Sequence, residues 1–258
     1  MRVALTIAGS DPSGGAGAQA DLKTFQAHGV FGMAVLTALT AQNTRGVGGV
    51  FDVPPEFVAA QLEAVLDDTE VHAAKTGMVS RSPTIVAIAE VLARHPLRTL
   101  IVDPVMVATS GDALLSDEAV DTLVERLFPL ATLVTPNIPE AERLTGMRIT
   151  TVGDMRDASA ILQRRGARAV LVKGGHLDGD EVVDLLRAEG AFREFRQKRL
   201  PGPPVHGTGC ALSAAVAAHL ARGAALTESV ARAHAFVHKA IERAVATGKG
   251  ARPVNLFA

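Results

Sequence analysis

The sequence predicts an α/β fold with a mostly parallel central sheet and a small antiparallel edge, built as a single domain over residues 1–258. Three observations carry that reading. Short apolar runs of strand type alternate with longer runs of helical period along most of the 258 residues, as parallel strands joined by helical crossovers require. Polar residues gather just after several of those apolar runs, where open α/β sheets bind ligands. No linker, low-complexity segment or shift in composition divides the chain.

Taken in order, Val3 to Ala8 is a short apolar strand, and Gly9 to Gly17 is a Gly/Ser/Pro loop. Ala18 to His28 reads as a helix capped by Gly29, and Met33 to Thr40 as a second buried strand. Arg45 to Val53 carries Gly-Val-Gly-Gly-Val-Phe-Asp-Val, which suits an edge hairpin or lid. Pro54 to Asp67 places Phe57, Val58, Leu62, Val65 and Leu66 at helical spacing. A strand over Val71 to Met78 is followed by a helix over Ser82 to His95, with Pro83 at a permitted first-turn position. Thr99 to Val102 is a strand, Ser116 to Phe128 a helix, Leu133 to Thr135 a strand and Pro139 to Leu144 a short helix. Asp154 to Arg165 is helix and Ala169 to Lys173 strand. Asp178-Gly179-Asp180 turns into Glu181 to Leu186 and Phe192 to Arg199, an antiparallel edge of the same sheet. Two helices, Ala211 to Arg222 and Thr227 to Ala246, complete the chain.

The balance of 26 basic against 27 acidic residues argues against a polyanion-binding surface. With no Trp or Tyr to stack bases, nucleic acid is not an expected partner. The apolar start after Met1-Arg2 is too short for a signal peptide or a membrane span. A single cysteine leaves no intrachain disulfide and no cysteine-rich metal site. A cytoplasmic protein with no membrane partner is the expectation.

The richest stretch is Pro203-Pro204-Val205-His206-Gly207-Thr208-Gly209-Cys210 running into Ala211-Leu212-Ser213-Ala214-Ala215. Two glycines before a helix let the backbone approach a ligand and leave several N–H groups free to bind it. The helix dipole adds roughly half a positive charge there, so Gly207, Thr208 and Gly209 form a candidate anion site, most often for phosphate. Cys210 sits where a helix N-terminus lowers a thiol pKa. The plainer alternative is a glycine turn capping an ordinary helix, with Cys210 as buried filler.

The strand ends weigh against the plainer alternative. Asp103 follows one apolar run, Asn137 and Glu140 another, and Lys173-Gly174-Gly175 a third; Ser10 and Asp11 follow the first strand, Gln42 and Asn43 the second. Carboxylates with Asn and Glu suit Mg²⁺ on a nucleotide phosphate, directly or through water, although each alone is also ordinary cap or turn chemistry. Their joint placement opposite an anion loop indicates phosphoryl transfer. Gly15-Ala16-Gly17-Ala18-Gln19-Ala20 matches a dinucleotide fingerprint, but no acidic residue occurs between Asp21 and Asp52 to hold a ribose. There is no Gly-x-x-x-x-Gly-Lys-Ser/Thr either.

Ala8 to Gly17 followed by Gln19-Ala20-Asp21-Leu22-Lys23-Thr24 resembles the N-terminal signature of the bacterial hydroxymethylpyrimidine/phosphomethylpyrimidine kinases of the ribokinase superfamily. Five further motifs match in order: Thr37 to Thr44, Lys75-Thr76-Gly77-Met78, Asp103-Pro104-Val105-Met106, Thr135 to Ala141, and His206 to Cys210. The resemblance implies a ribokinase-like three-layer α/β/α sandwich and two MgATP-dependent phosphorylations, of hydroxymethylpyrimidine and then its monophosphate, in thiamine biosynthesis. It places Gln42 on the aminopyrimidine ring, with Gly9, Asp21, Met78 and Val105 walling the pocket. Asp103 and Glu140 would hold Mg²⁺; Asn137, Lys173 and Thr208 would meet ATP; Cys210 would be the general base above an anion hole of Gly207, Thr208 and Gly209. A homodimer is implied as well. The rival readings are a pyridoxal kinase of the same architecture and a non-catalytic vitamin- or nucleotide-binding regulator.

Overall fold

The computed structural model describes residues 1–107 and 115–257. Along the chain it runs β1 (Val3–Ala8), α1 (Gly17–Ala27), β2 (Phe31–Leu36), β3 (Ala38–Asn43), β4 (Gly46–Asp52), α2 (Pro55–Leu66), β5 (Ala73–Thr76), α3 (Ser82–Arg94) and β6 (Leu100–Val102). There follow α4 (Asp117–Arg126), β7 (Leu133–Val134), α5 (Ile138–Thr145), α6 (Val152–Arg164), β8 (Val170–Val172), β9 (Glu181–Ala188) and β10 (Ala191–Lys198). The chain ends with β11 (Val205–His206), α7 (Thr208–Ala221), α8 (Leu226–Glu242) and β12 (Arg252–Pro253).

Eight strands make the central sheet in the order β10-β9-β8-β7-β6-β5-β1-β2. β2, β1, β5, β6, β7 and β8 are parallel, and β9 and β10 form the antiparallel edge. The turn joining that last pair runs through Glu189 and Gly190, at φ of 50° and 76°, the left-handed geometry that two-residue hairpins favour. The chain reverses its direction of travel across the sheet at β1 and β5, which is where ligands collect in such folds.

Alternation along the buried strands feeds two cores. Leu5, Ile7, Val102 and Val172 join one cluster with α2 to α6; Ala4, Ile101 and Leu171 join the other with α1, α7 and α8. The three layers of an α/β/α sandwich follow. Helix α7 is covered nearly all round, with Ala211, Ala214, Ala215, Ala217 and Ala218 fully buried. Small side chains let it lie close to the sheet, which fixes its N-terminus over the strand ends. Among the described residues no helix is long and apolar enough to cross a membrane.

The expected strand Met33 to Thr40 is two strands in different sheets. At Thr37 the N–H donates to the Ala8 carbonyl at 3.1 Å, and the hydroxyl donates to the Met78 carbonyl at 2.7 Å. These bonds end the pairing with β1 and release β3 to pair with β4 as a separate antiparallel hairpin. The arm expected to be a whole hairpin, Arg45 to Val53, is therefore its second strand. β11 and β12 form a further small parallel pair that no periodicity signals in segments so short.

Candidate active site

Gly207 is the N-cap of α7 at φ 85°, and a β-carbon there would overlap the Gly15 carbonyl oxygen. Only glycine meets both demands. The helix therefore begins at Thr208, not at Ala211, so Thr208, Gly209 and Cys210 form its first turn and their N–H groups lack intrahelical partners. No acidic residue stands in that turn, so nothing on the helix offsets its positive end. A side chain on Gly209 would begin 3.2 Å from Lys173 Nζ. The glycine admits an ammonium group to the same spot. Backbone donors and Lys173 thus converge on one anion site.

Lys173 is held by Asp103 Oδ1 at 2.8 Å and lies 3.8 Å from Glu140 Oε2. Burial opposes its charge, but the two carboxylates more than compensate and its pKa is raised. Asp103 Oδ1 also accepts from the Thr135 hydroxyl at 2.9 Å, and Oδ2 from the Ser213 hydroxyl at 3.1 Å. Burial pushes Glu140 up to about 7, against the pull of Lys173. Glu140 and Asn137 form a capping box on α5: Asn137 N–H donates to Glu140 Oε2 at 2.7 Å, and Glu140 N–H donates to Asn137 Oδ1 at 2.9 Å. The Met106 N–H also bonds Glu140.

These contacts show what else engages the expected metal pair. Asp103 and Glu140 offer the oxygen chemistry that Mg²⁺ prefers, yet both Asp103 oxygens and Glu140 Oε2 already accept protein donors. No group of three or more His, Cys, Asp or Glu converges on a metal position among the described residues. Asp103 and Glu140 hold Lys173, and the Asn137 oxygen accepts the Glu140 N–H in the cap.

Cys210 lies between two helix starts, with the Gly17 N–H of α1 bonded to it. Its thiol is nonetheless pushed up to about 11, chiefly by burial and further by Asp21 and Asp103; Lys75 pulls the other way. The expectation of a lowered pKa fails because burial and two nearby carboxylates outweigh a helix terminus. Asp21 is not a pocket wall. It is fully buried, accepting the Thr6 hydroxyl at 2.6 Å and ion-paired with Lys75 at 3.0 Å. Burial opposes the Lys75 charge, but Asp21, Cys210 and Asp103 hold its pKa above the ordinary value.

The other proposed pocket residues gather beside this site. A β-carbon on Gly9 would begin 2.9 Å from Met78 Cε, so these two are in contact where β1 and β5 end. Gln42, half-buried on β3, has its Nε2 3.3 Å from His206 Nε2, and its Oε1 accepts from the Thr40 hydroxyl at 3.3 Å. Val105 is half-buried in the turn after β6, closed by its N–H on the Asp103 carbonyl at 2.9 Å. Gly15 lies against His206, where a side chain would begin 2.9 Å from His206 Cδ2.

A family profile, phosphomethylpyrimidine kinase, matches residues 11–255. The chain belongs to the phosphomethylpyrimidine kinase family. It is 54% identical over 261 residues to the hydroxymethylpyrimidine/phosphomethylpyrimidine kinase of Rhizobium meliloti, covering 99% of this chain and 97% of that one. It is also 54% identical over 251 residues to the thiamine biosynthesis bifunctional protein ThiED of Geobacter sulfurreducens, where it accounts for 97% of itself but only 51% of that longer protein. Among solved structures, the pyridoxal kinase of Staphylococcus aureus in complex with ADP superposes with a TM-score of 0.92 at 36% identity, covering 100% and 94% of the two chains.

In this kinase the residues that sequence reasoning left without a role are Lys75, Asp11 and Ser213. A lysine in the apolar run Ala73-Ala74-Lys75-Thr76 is a visible anomaly, since such a charge needs a buried partner. Ser213 follows Gly209 by four residues, one helical turn on. Asp11 takes four contacts from Ser13, Ala16 and His206; those from Ser13 are local turn chemistry, and the one from His206 has no mark in the sequence.

Proposed function

We propose that this kinase transfers the γ-phosphoryl group of ATP first to the hydroxymethyl group of 4-amino-5-hydroxymethyl-2-methylpyrimidine and then to the resulting monophosphate. The relatives named for that activity, across nearly the whole chain, support the substrate. The observation that carries the chemistry is the meeting of the Lys173 ammonium with the first turn of α7 at Gly209. Preorganised donors aimed at developing charge supply the largest part of such catalysis, and phosphoryl transfer asks little else than charge stabilisation and alignment.

In this reading the N–H groups of Thr208, Gly209 and Cys210, with Lys173, hold the negative oxygens of the moving phosphoryl group. Gln42 reads the ring, and Gly9 and Met78 pack against it. Cys210 accepts the substrate proton as a thiolate, its own proton, held to a pKa of about 11, having first gone to solvent; that thiolate faces the Lys75 ammonium and the Gly17 N–H. Mg²⁺ arriving with ATP would be held largely by phosphate oxygens and water, with Asp103 and Glu140 the carboxylates that would face that shell. A cytoplasmic homodimer completes the proposal. Phe51, 67% exposed, and Leu39, 45% exposed, pair across the β3–β4 hairpin and support an apolar contact between copies.

The Staphylococcus pyridoxal kinase neighbour favours a second reading, with pyridoxal as the alcohol. A time course of product formation with MgATP and hydroxymethylpyrimidine separates them. Monophosphate followed by diphosphate supports the pyrimidine reading, and the absence of both products rejects it.

A further inference from the structure

His206 carries a hydrogen-bond arrangement that fixes how Gln42 faces a ligand. Asp11 is 2% exposed in its side chain and His206 10%, with Oδ2 and Nε2 3.1 Å apart. Asp11 Oδ1 accepts both the N–H and the hydroxyl of Ser13, at 2.9 and 2.7 Å, and Oδ2 accepts the Ala16 N–H at 2.8 Å. With its carboxyl held down near 2, Asp11 is an acceptor only. Nε2 of His206 must then carry the proton that joins them.

That proton decides the next contact. As placed, the Gln42 amide turns its Nε2 to His206 Nε2 and its Oε1 to the Thr40 hydroxyl, each at 3.3 Å. With its proton given to Asp11, His206 Nε2 has no lone pair for that NH₂ group, and only an amide oxygen, sharing the same N–H, suits the position. The other end of the amide lies 3.3 Å from Thr40 Oγ1, whose single proton goes to the Ser10 carbonyl at 2.9 Å. Thr40 Oγ1 is therefore an acceptor and needs an NH₂ group opposite it. The two neighbours, on different elements, select the same rotation of an amide whose ends are otherwise interchangeable.

We infer that His206, held by Asp11, is a positioning residue that locks the Gln42 amide with its oxygen toward His206 and its NH₂ toward Thr40. One N–H and one lone pair of the amide are left for a ligand. Those match a ring nitrogen that accepts beside an exocyclic amine that donates, which is the edge of a 4-aminopyrimidine. Turned by half a revolution, the amide would present the same pair of groups in the reverse order. The inference rests on the reading in which Gln42 binds the pyrimidine, and it adds the residues that set its polarity.

Nitrogen-15 NMR of the wild-type protein tests the proton directly. A proton on His206 Nε2 is expected, and a ring protonated on Nδ1 alone overturns the inference whatever any variant does. Kinetics test the consequence. His206→Ala should raise the pyrimidine KM about 10-fold or more while the ATP KM moves less than 3-fold, and His206→Gln, which restores a donor, should recover part of the loss. In the double variant Gln42→Ala/His206→Ala the KM should rise no further than in Gln42→Ala alone, because residues acting through one contact are not additive. If Gln42→Ala leaves the pyrimidine KM unchanged, the underlying reading fails. If Gln42→Ala raises it and His206→Ala does not, or their effects multiply, the inference about His206 fails while that reading stands. Asp11→Asn, which can donate to the ring and release the Nε2 proton, guards against a His206 variant that does not fold; it should raise the pyrimidine KM in the same way, and an unchanged KM counts against the lock.

Discussion

Lys75 and Asp21 form an ion pair at 3.0 Å with both side chains fully shielded from solvent, near enough to Cys210 for both charges to act on its thiol. Removing one partner from such a pair leaves an uncompensated buried charge, a cost of about 3–5 kcal/mol. Lys75→Met should lose about that much stability in urea unfolding, and Lys75→Met/Asp21→Leu should regain most of it. A single-variant loss below about 1 kcal/mol would mean that the pair does not persist in solution.

Lys173 should matter to nucleotide chemistry and much less to ring binding. Lys173→Ala is expected to lower kcat by roughly 10²-fold or more, the scale for losing one preorganised donor, with a small change in the pyrimidine KM. Steady-state kinetics with each substrate varied would show this. A change confined to the pyrimidine KM would move the anion site elsewhere.

Asn137 is expected to behave as a helix cap. Asn137→Ala should cost about 1 kcal/mol, and Asn137→Asp, which keeps an accepting oxygen, should recover most of it in thermal unfolding. Failure of the aspartate to recover stability would point to a role for the Asn137 NH₂ group, as a nucleotide contact requires.

Acid should weaken the protein through Asp11. Burial raises its pKa, but the bonds from His206 and Ser13 outweigh that and bring it down from 3.8 to about 2. A carboxylate depressed on folding stabilises the native state above its unfolded pKa and loses that contribution as pH falls through the folded value. The contribution, about 2 kcal/mol by linkage, should fade between pH 4 and 2. Unfolding curves of Asp11→Asn across that range should lack this component; an identical acid slope would contradict the assignment.

Cys210 should be slow to alkylate. A thiol raised from 9.0 to about 11 carries about one-hundredth of the ordinary thiolate near pH 8, and reaction follows thiolate. Iodoacetamide should therefore react about 100-fold more slowly than with a free cysteine, quickening as pH rises toward 11. Fast reaction at pH 7 would show that the anion loop controls the thiol after all. Cys210→Ala should keep MgATP binding and lower turnover by about 10² to 10⁴-fold, the range for a positioned base.

What the sequence revealed of the fold follows from locality. The parallel strands were readable because each is a continuous apolar run between loop residues, and Gly207 because two glycines precede a helix. The break at Thr37 was hidden: nothing in Met33 to Thr40 marks it, and it depends on contacts with Ala8 and Met78. Asn137 and Glu140 show the spacing of a capping box as clearly as they suggest metal ligands, and local pattern alone does not choose. The Cys210 pKa was misread because a helix terminus is a local feature, whereas Asp21 and Asp103 reach it from distant parts of the chain. The Asp11–His206 contact, 195 residues apart in sequence, leaves no sequence pattern.

Parallel ADP-release assays with MgATP on hydroxymethylpyrimidine, its monophosphate and pyridoxal test the functional reading most directly. Turnover on both pyrimidines, with a kcat/KM on pyridoxal at least about 10-fold lower, is the predicted result, since one misplaced polar contact costs roughly that much or more. Turnover on pyridoxal with little on either pyrimidine would contradict it.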